Sequence, residues 1–183
     1  MMTNEQIKQL VERYPFLLPR NVFTDELEEE YDYSYLFPLE IPQGWFNLFF
    51  QLCEDIRQPL IDAGYLDKFR LSQVKEKYNR LDVYHQGIPE AASVVDDIIS
   101  KYSMMAGFVC SVCGKPATFE TSAGWVVSYC DDCWKDYARH EKGNWLKFKP
   151  EFIVRGWSDG DWYERLVSFE DEWNRYLKSL GEE

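Results

Sequence analysis

Residues 108–137 read FVCSVCGKPATFETSAGWVVSYCDDCWKDY and hold four of the chain's five cysteines. They form two C-x-x-C pairs, Cys110/Cys113 and Cys130/Cys133, separated by sixteen residues. Two intervening residues let both thiolates of a pair turn toward one ion, because the backbone after the first cysteine folds into a tight turn. Gly114 stands where that turn needs a positive φ. Four sulfurs at about 2.3 Å complete a tetrahedron and leave no position for water or substrate. The spacer suits a short hairpin: PATFETS, a turn at Ala123-Gly124, then WVVSYC. The second pair then falls in the first turn of a helix. Knuckle, hairpin and ligand-bearing helix make a treble-clef arrangement around one structural Zn2+. A redox C-x-x-C needs a single pair in a thioredoxin-like βαβ setting, which is missing here, and iron–sulfur clusters use other spacings. Metal and four thiolates together carry a charge of about −2, which makes the holo protein more acidic still.

Outward from this module, the chain reads as α+β: helices around a short hairpin, with the zinc module embedded and an amphipathic helix at the C-terminus. Asn4 is placed to cap a first helix with Ile7, Leu10, Val11 and Tyr14 on one face, stopped by Pro15. Residues 15–42, rich in proline and tyrosine, read as an irregular arm. A second helix starts near Gln43, with Trp45, Phe49, Leu52 or Cys53, Ile56 and Leu60 recurring at three and four. Pro59 should kink or break it and Gly64 end it. β-favouring residues on either side of Tyr78-Asn79-Arg80 predict a hairpin, since Asn79 tolerates positive φ. Ile88-Pro89-Glu90 opens a third helix burying Ala92, Val95, Ile98 or Ile99, Tyr102 and Met105. Residues 134–142 read as a short helix. A last helix is expected from the alternating spacing of Trp162, Leu166, Phe169, Trp173, Tyr176 and Leu180. The organisation expected is 1–107 helical and hairpin with an acidic arm at 21–42, 108–150 zinc module and 151–183 C-terminal helix, in one compact unit.

The formal charge is −12 and unevenly placed. Between Asn21 and Ile56 there are nine acids and no lysine or arginine; the other 23 acids meet 20 bases. Such a block repels nucleic acid and anionic membranes. It is either a solvated loop or a surface for a basic partner. Glu28, Glu29, Glu30 and Asp32, interleaved with Tyr31, Tyr33 and Tyr35, are the candidate partner-binding residues. No apolar run approaches a membrane span, and MMTNEQIKQL has neither the basic nor the apolar region of a signal peptide. A soluble, intracellular protein with reduced cysteines is expected.

Other chemistry finds little support. Cys53 lies on an apolar stripe and reads as a small buried hydrophobe. His85 and His140 have no neighbouring residues that suggest a triad, and Asp96-Asp97 and Glu170-Asp171-Glu172 read as solvated helix faces. No phosphate-binding or nucleophile-elbow motif occurs, so no enzyme is expected. Local bases cluster at Lys75/Lys77 and at Lys142, Lys147 and Lys149. Residues 134–150 hold five bases against two acids, but the helix has Asp131, Asp132 and Asp136 at its start. A nucleic-acid-binding treble clef is thus the alternative, and an unrecognised enzyme the last resort.

KEKYNRLDVYHQG (75–87), a helix, then CSVCGKPA (110–117) and Gly124-Trp125 before the second pair carry a resemblance. The chain resembles a group of uncharacterised bacteriophage and prophage proteins in which a K-E-K-[FY] hairpin precedes a C-x-x-C-G-x-P-A knuckle. The match spans about residues 43–137. It departs at Asn79-Arg80, where relatives often carry two glycines, and at Asp82, where a base is common. The resemblance implies a phage accessory protein in the cytoplasm of a bacterial host. Such a protein would bind a host protein with a basic surface, with inhibition of a defence nuclease or related immune factor as its purpose.

Overall fold

The computed structural model describes residues 2–18, 24, 26, 41–86, 88–121, 126–138, 145–147, 151–158 and 161–179. Helix α1 (Asn4–Arg13) is capped by Thr3, not Asn4. The Thr3 hydroxyl accepts from the Gln6 N–H, and the Gln6 side chain accepts from the Thr3 N–H. This reciprocal pair needs a glutamine at the third helical position, which a cap at Asn4 would lack. Ile7, Leu10, Val11 and Tyr14 are all buried, as their spacing predicts.

A 3-10 turn at Gln43–Trp45 leads into α2 (Phe46–Asp62), whose stripe of Trp45, Phe49, Leu52, Cys53, Ile56 and Leu60 is fully buried. The helix is not broken at Pro59 but runs on to Asp62. So close to the end, one missing N–H removes a single rung. Gly64 follows with φ +63°. Strands β1 (Leu71–Lys77) and β2 (Arg80–His85) form the expected hairpin. Tyr78 and Asn79 are its two central residues, with φ 50° and 61°, the signature of a type I′ turn. After a short 3-10 turn at Glu90–Ala92, α3 (Val94–Ala106) buries Val95, Ile99, Tyr102 and Met105 against α2 and β2.

The four-cysteine region contributes β3 (Phe119–Thr121), β4 (Ser128–Tyr129), a short helix α4 (Asp131–Cys133) widening into a π-type turn at Trp134–Ala138, and β5 (Trp145–Lys147). Their strand order is β4-β3-β5, all antiparallel.

The C-terminal region differs from expectation. Among the described residues the helix is confined to Phe169–Ser179 (α5); the residues before it form an antiparallel hairpin of β6 (Glu151–Ser158) and β7 (Asp161–Ser168), in unbroken register from Glu151↔Ser168 to Ser158↔Asp161. Leu166, expected on a buried helical face, is 66% exposed, whereas its neighbour Val167 is buried. The three-and-four spacing continues by coincidence into a segment that pairs with Glu151–Ser158. EFIVRGWS and DWYERLVS are both rich in β-branched and aromatic residues, and cross-strand pairing outweighs the apparent helical period.

One apolar cluster joins α1, α2, α3, the first hairpin, β6, β7 and α5. Helix α5 is also held by charge. Glu172 is only 3% exposed, with Arg175 at 2.6 Å and the Lys101 ammonium at 3.7 Å; Lys101 in turn reaches Asp55 at 3.8 Å. The expectation of a solvated face therefore fails at Glu172, because a lysine from α3 lies opposite it. Tyr102 donates to Asp55 at 2.7 Å. Among the described residues no helix is long and apolar enough to cross a membrane.

Candidate metal centre

Helix α3 delivers the chain to the first cysteine pair. Val109 bridges Pro116, the Cys110 N–H donates to the Lys115 carbonyl at 2.8 Å, and the Gly114 N–H returns to the Cys110 carbonyl at 3.0 Å. This closes a tight knuckle, with Gly114 at φ +79° as its spacing requires. The chain then enters β3, pairs back through β4, and reaches Cys130, which precedes α4 in extended conformation. The Ser111 N–H donates to the Ser128 carbonyl at 2.9 Å, tying the knuckle to the strand that leads into the second pair.

The sulfurs of Cys110, Cys113, Cys130 and Cys133 all lie within 4.8 Å of one another, so the sequence-derived set comes together in space and can hold a metal ion. Metal–sulfur bonds of about 2.3 Å would set the edges of a sulfur tetrahedron at about 3.8 Å. The Cys113 and Cys130 sulfurs are 3.5 Å apart, close to that edge and too far for a disulfide. Cys110, Cys130 and Cys133 are buried and Cys113 is exposed. Burial disfavours the Cys110 thiolate, but backbone N–H groups of Cys113, Cys130 and Val112 outweigh it and lower its pKa. Burial and the neighbouring sulfurs push Cys133 up. Four thiolates this close repel one another, and a bound cation relieves that repulsion. Lys115, 3.7 Å from Asp132, links the two pairs at the surface.

Contacts in two places, which the sequence did not announce, seat this centre on the rest of the fold. Asn79, at the tip of the β1–β2 hairpin, is only 3% exposed; its amide donates to the Gly107 carbonyl at 3.1 Å and to the Ser128 hydroxyl at 2.5 Å. The Ser128 hydroxyl also donates to Gly107, at 2.7 Å. At the start of α2, the Gly44 N–H donates to the Ser111 carbonyl at 3.0 Å, and the Trp45 indole donates to Val109 at 3.1 Å. The only local signals were a glycine beside a helix start and an asparagine in a turn.

The remaining candidates separate. Cys53 is fully buried and its thiol is pushed well up by burial, so it is an inert core residue. His85 does have an acid: its Nε2 is 2.8 Å from Asp96 and its Nδ1 3.1 Å from the Gln86 carbonyl. Both ring nitrogens are thereby occupied. Lys75 lies over the Tyr84 ring and Lys77 is 3.9 Å from Asp82. The proposed partner residues Glu28, Glu29, Glu30, Tyr31, Asp32, Tyr33 and Tyr35 lie outside the described residues, as do His140, Lys142 and Lys149. Comparison with known proteins finds no matching family model, no matching curated protein and no matching solved structure.

Proposed function

We propose that this chain is a zinc-stabilised, non-enzymatic interaction protein that binds a host protein with a basic surface. The observation that carries the reading is a four-sulfur centre with three of its cysteines buried, in a chain of formal charge −12. Four thiolates select zinc among the common intracellular ions and saturate it, so the ion serves the fold rather than a reaction. We read the knuckle, the β3–β4 pair and α4 as a treble clef. The acidic block at 21–56 supplies long-range attraction for a cationic surface and repulsion for phosphate backbones. In the setting that the phage resemblance implies, such a partner is a bacterial defence nuclease or related immune factor, held inactive by occupation of its basic surface.

The test is a pull-down from bacterial lysate with and without nuclease treatment. A specific protein retained in both, released by salt, supports the reading. Retention that vanishes on nuclease treatment replaces it with nucleic-acid binding. Conversion of Glu28, Glu29, Glu30 and Asp32 to their amides should slow association and flatten its salt dependence while leaving metal content unchanged. Unaltered association by that variant removes the arm from the interface.

A further inference from the structure

The four cysteines of the metal centre are not equivalent. Cys113 is exposed, whereas Cys110, Cys130 and Cys133 are buried. Across the two pairs, the Cys113 sulfur lies 3.5 Å from that of Cys130. A disulfide needs about 2.05 Å, so an approach of about 1.5 Å joins them, and a swing of the exposed Cys113 side chain can supply it. Within its own pair Cys113 meets a different kind of neighbour. Cys110 accepts from the backbone N–H groups of Cys113, Cys130 and Val112. Those donors occupy the lone pairs of the Cys110 sulfur, which blunts it as a nucleophile. The two pairs are also kept side by side by contacts that use no sulfur. The Ser111 N–H donates to the Ser128 carbonyl at 2.9 Å, and Lys115 lies 3.7 Å from Asp132. The seat of the module is equally free of sulfur, since it runs through Asn79, Ser128, Gly44 and Trp45.

We propose that a peroxide converts this centre from a metal-held to a disulfide-held state by joining Cys113 to Cys130. The proposal rests on the zinc reading above and adds its regulation by oxidant. The Cys113 sulfur attacks one peroxide oxygen; the O–O bond breaks, hydroxide leaves and Cys113 becomes a sulfenic acid. The Cys130 thiolate then attacks the Cys113 sulfur, the S–O bond breaks and a second hydroxide leaves. Two protons from solvent turn both hydroxides into water, and two electrons have passed from the sulfurs to the peroxide. Cys110 and Cys133 stay reduced. Two thiolates are too few to close a four-sulfur site, so zinc is lost. The new bond runs from the knuckle to the residue before α4, the same two segments that the metal holds together. With sixteen residues between its ends, it restricts the opened chain enough to keep the module shut. Oxidation thus releases the ion without opening the fold.

The experiment treats the zinc-loaded full chain with hydrogen peroxide and follows metal release with a coloured zinc indicator. Free thiols are then alkylated, a glutamate-specific protease cuts at Glu120, and the disulfide is mapped by mass spectrometry. Zinc should be lost as a Cys113–Cys130 link forms between the two fragments, and dithiothreitol with added zinc should restore the starting state. The oxidised chain should be cut within 108–137 several-fold more slowly than the reduced chain stripped of metal by a chelator. Cys53→Ala should give the same map, since that thiol is fully buried. Any other pairing, an unlinked sulfinic acid at Cys113, or an oxidised chain cut as fast as the stripped one overturns the proposal. Zinc retained under excess peroxide also overturns it, and keeps the zinc reading. A Cys113–Cys130 link formed in a chain that metal analysis finds empty removes the zinc reading and keeps the oxidative link.

Discussion

Gly44 and Gly114 meet backbone to backbone: a Cβ built on Gly114 would fall 2.6 Å from the Gly44 carbonyl oxygen, and one on Gly44 would fall 2.8 Å from the Gly114 nitrogen and 2.2 Å from the Cys110 carbonyl oxygen. All three atoms in the way are backbone, so nothing can yield cheaply. The cysteine knuckle therefore lies directly on the turn that starts α2, with no side chain between them.

Gly44→Ala should destabilise the protein by about 2–4 kcal/mol, in the range of severe steric insertions. Because the same contact touches the first cysteine pair, the variant should also release its metal faster to a chelator. Thermal melts with and without chelator measure both. A variant that melts like the wild type would show that the two segments separate easily.

Metal analysis should find one zinc per chain. Structural zinc is worth about 10–16 kcal/mol in small zinc peptides, and the large apolar cluster here should hold part of the fold without it. Cys113→Ser should therefore lower the melting temperature and expose 108–137 to proteolysis, while Cys53→Ala leaves metal content unchanged. Iron with visible absorbance in place of zinc would refute the assignment.

Asn79 gives a graded test of the hairpin dock. Asn79→Gly keeps the positive φ of 61° but deletes the bonds to Gly107 and Ser128, and should cost about 1–3 kcal/mol. Asn79→Ala should cost more, since it adds backbone strain at that φ. Urea unfolding of the pair against Ser128→Ala separates turn strain from lost hydrogen bonds.

The His85–Asp96 contact makes stability depend on pH. Its hydrogen bond to Asp96 raises the pKa of His85 above the ordinary value despite opposition from burial. Protonated His85 thus favours the folded state. That contribution is complete below about pH 6.5, the unfolded value, and fades as pH rises through the higher folded value. An NMR titration should place the His85 midpoint above 6.5, and Asp96→Asn should bring it back down.

The β6–β7 register predicts opposite behaviour of neighbours. Leu166→Ala, at an exposed position, should change stability by no more than about 0.5 kcal/mol, whereas Phe152→Ala, at a buried one, should cost about 3–5 kcal/mol. Denaturant unfolding of the two variants checks this.

The four-cysteine cluster and the first hairpin were legible because each is local: a spacing of two between cysteines, and an asparagine in a turn between β-favouring runs. The faces of α1, α2 and α3 were legible because burial repeats at helical period from Ile7 through Met105. The C-terminal hairpin was not, since Leu166 and Phe169 keep a helical interval across what is a strand-to-helix junction. Glu172 was misread for a related reason: whether an acid on a helix meets water or a lysine depends on Lys101, far away in sequence. The seat of the metal centre on Gly44 and Asn79 is likewise a matter of long-range contact, written in no motif.

The uneven burial of the four cysteines gives the centre one most open side. Cys110, Cys130 and Cys133 are shielded by protein, and only Cys113 faces solvent. Metal leaves a thiolate cage one bond at a time, and a competing ligand must first reach a sulfur. Capture of an ion held there by a chelator or a metallochaperone, and attack by an electrophile, would start most readily at Cys113. The lifetime of an ion held there would then depend on how readily one side chain swings outward as well as on the strength of the four bonds.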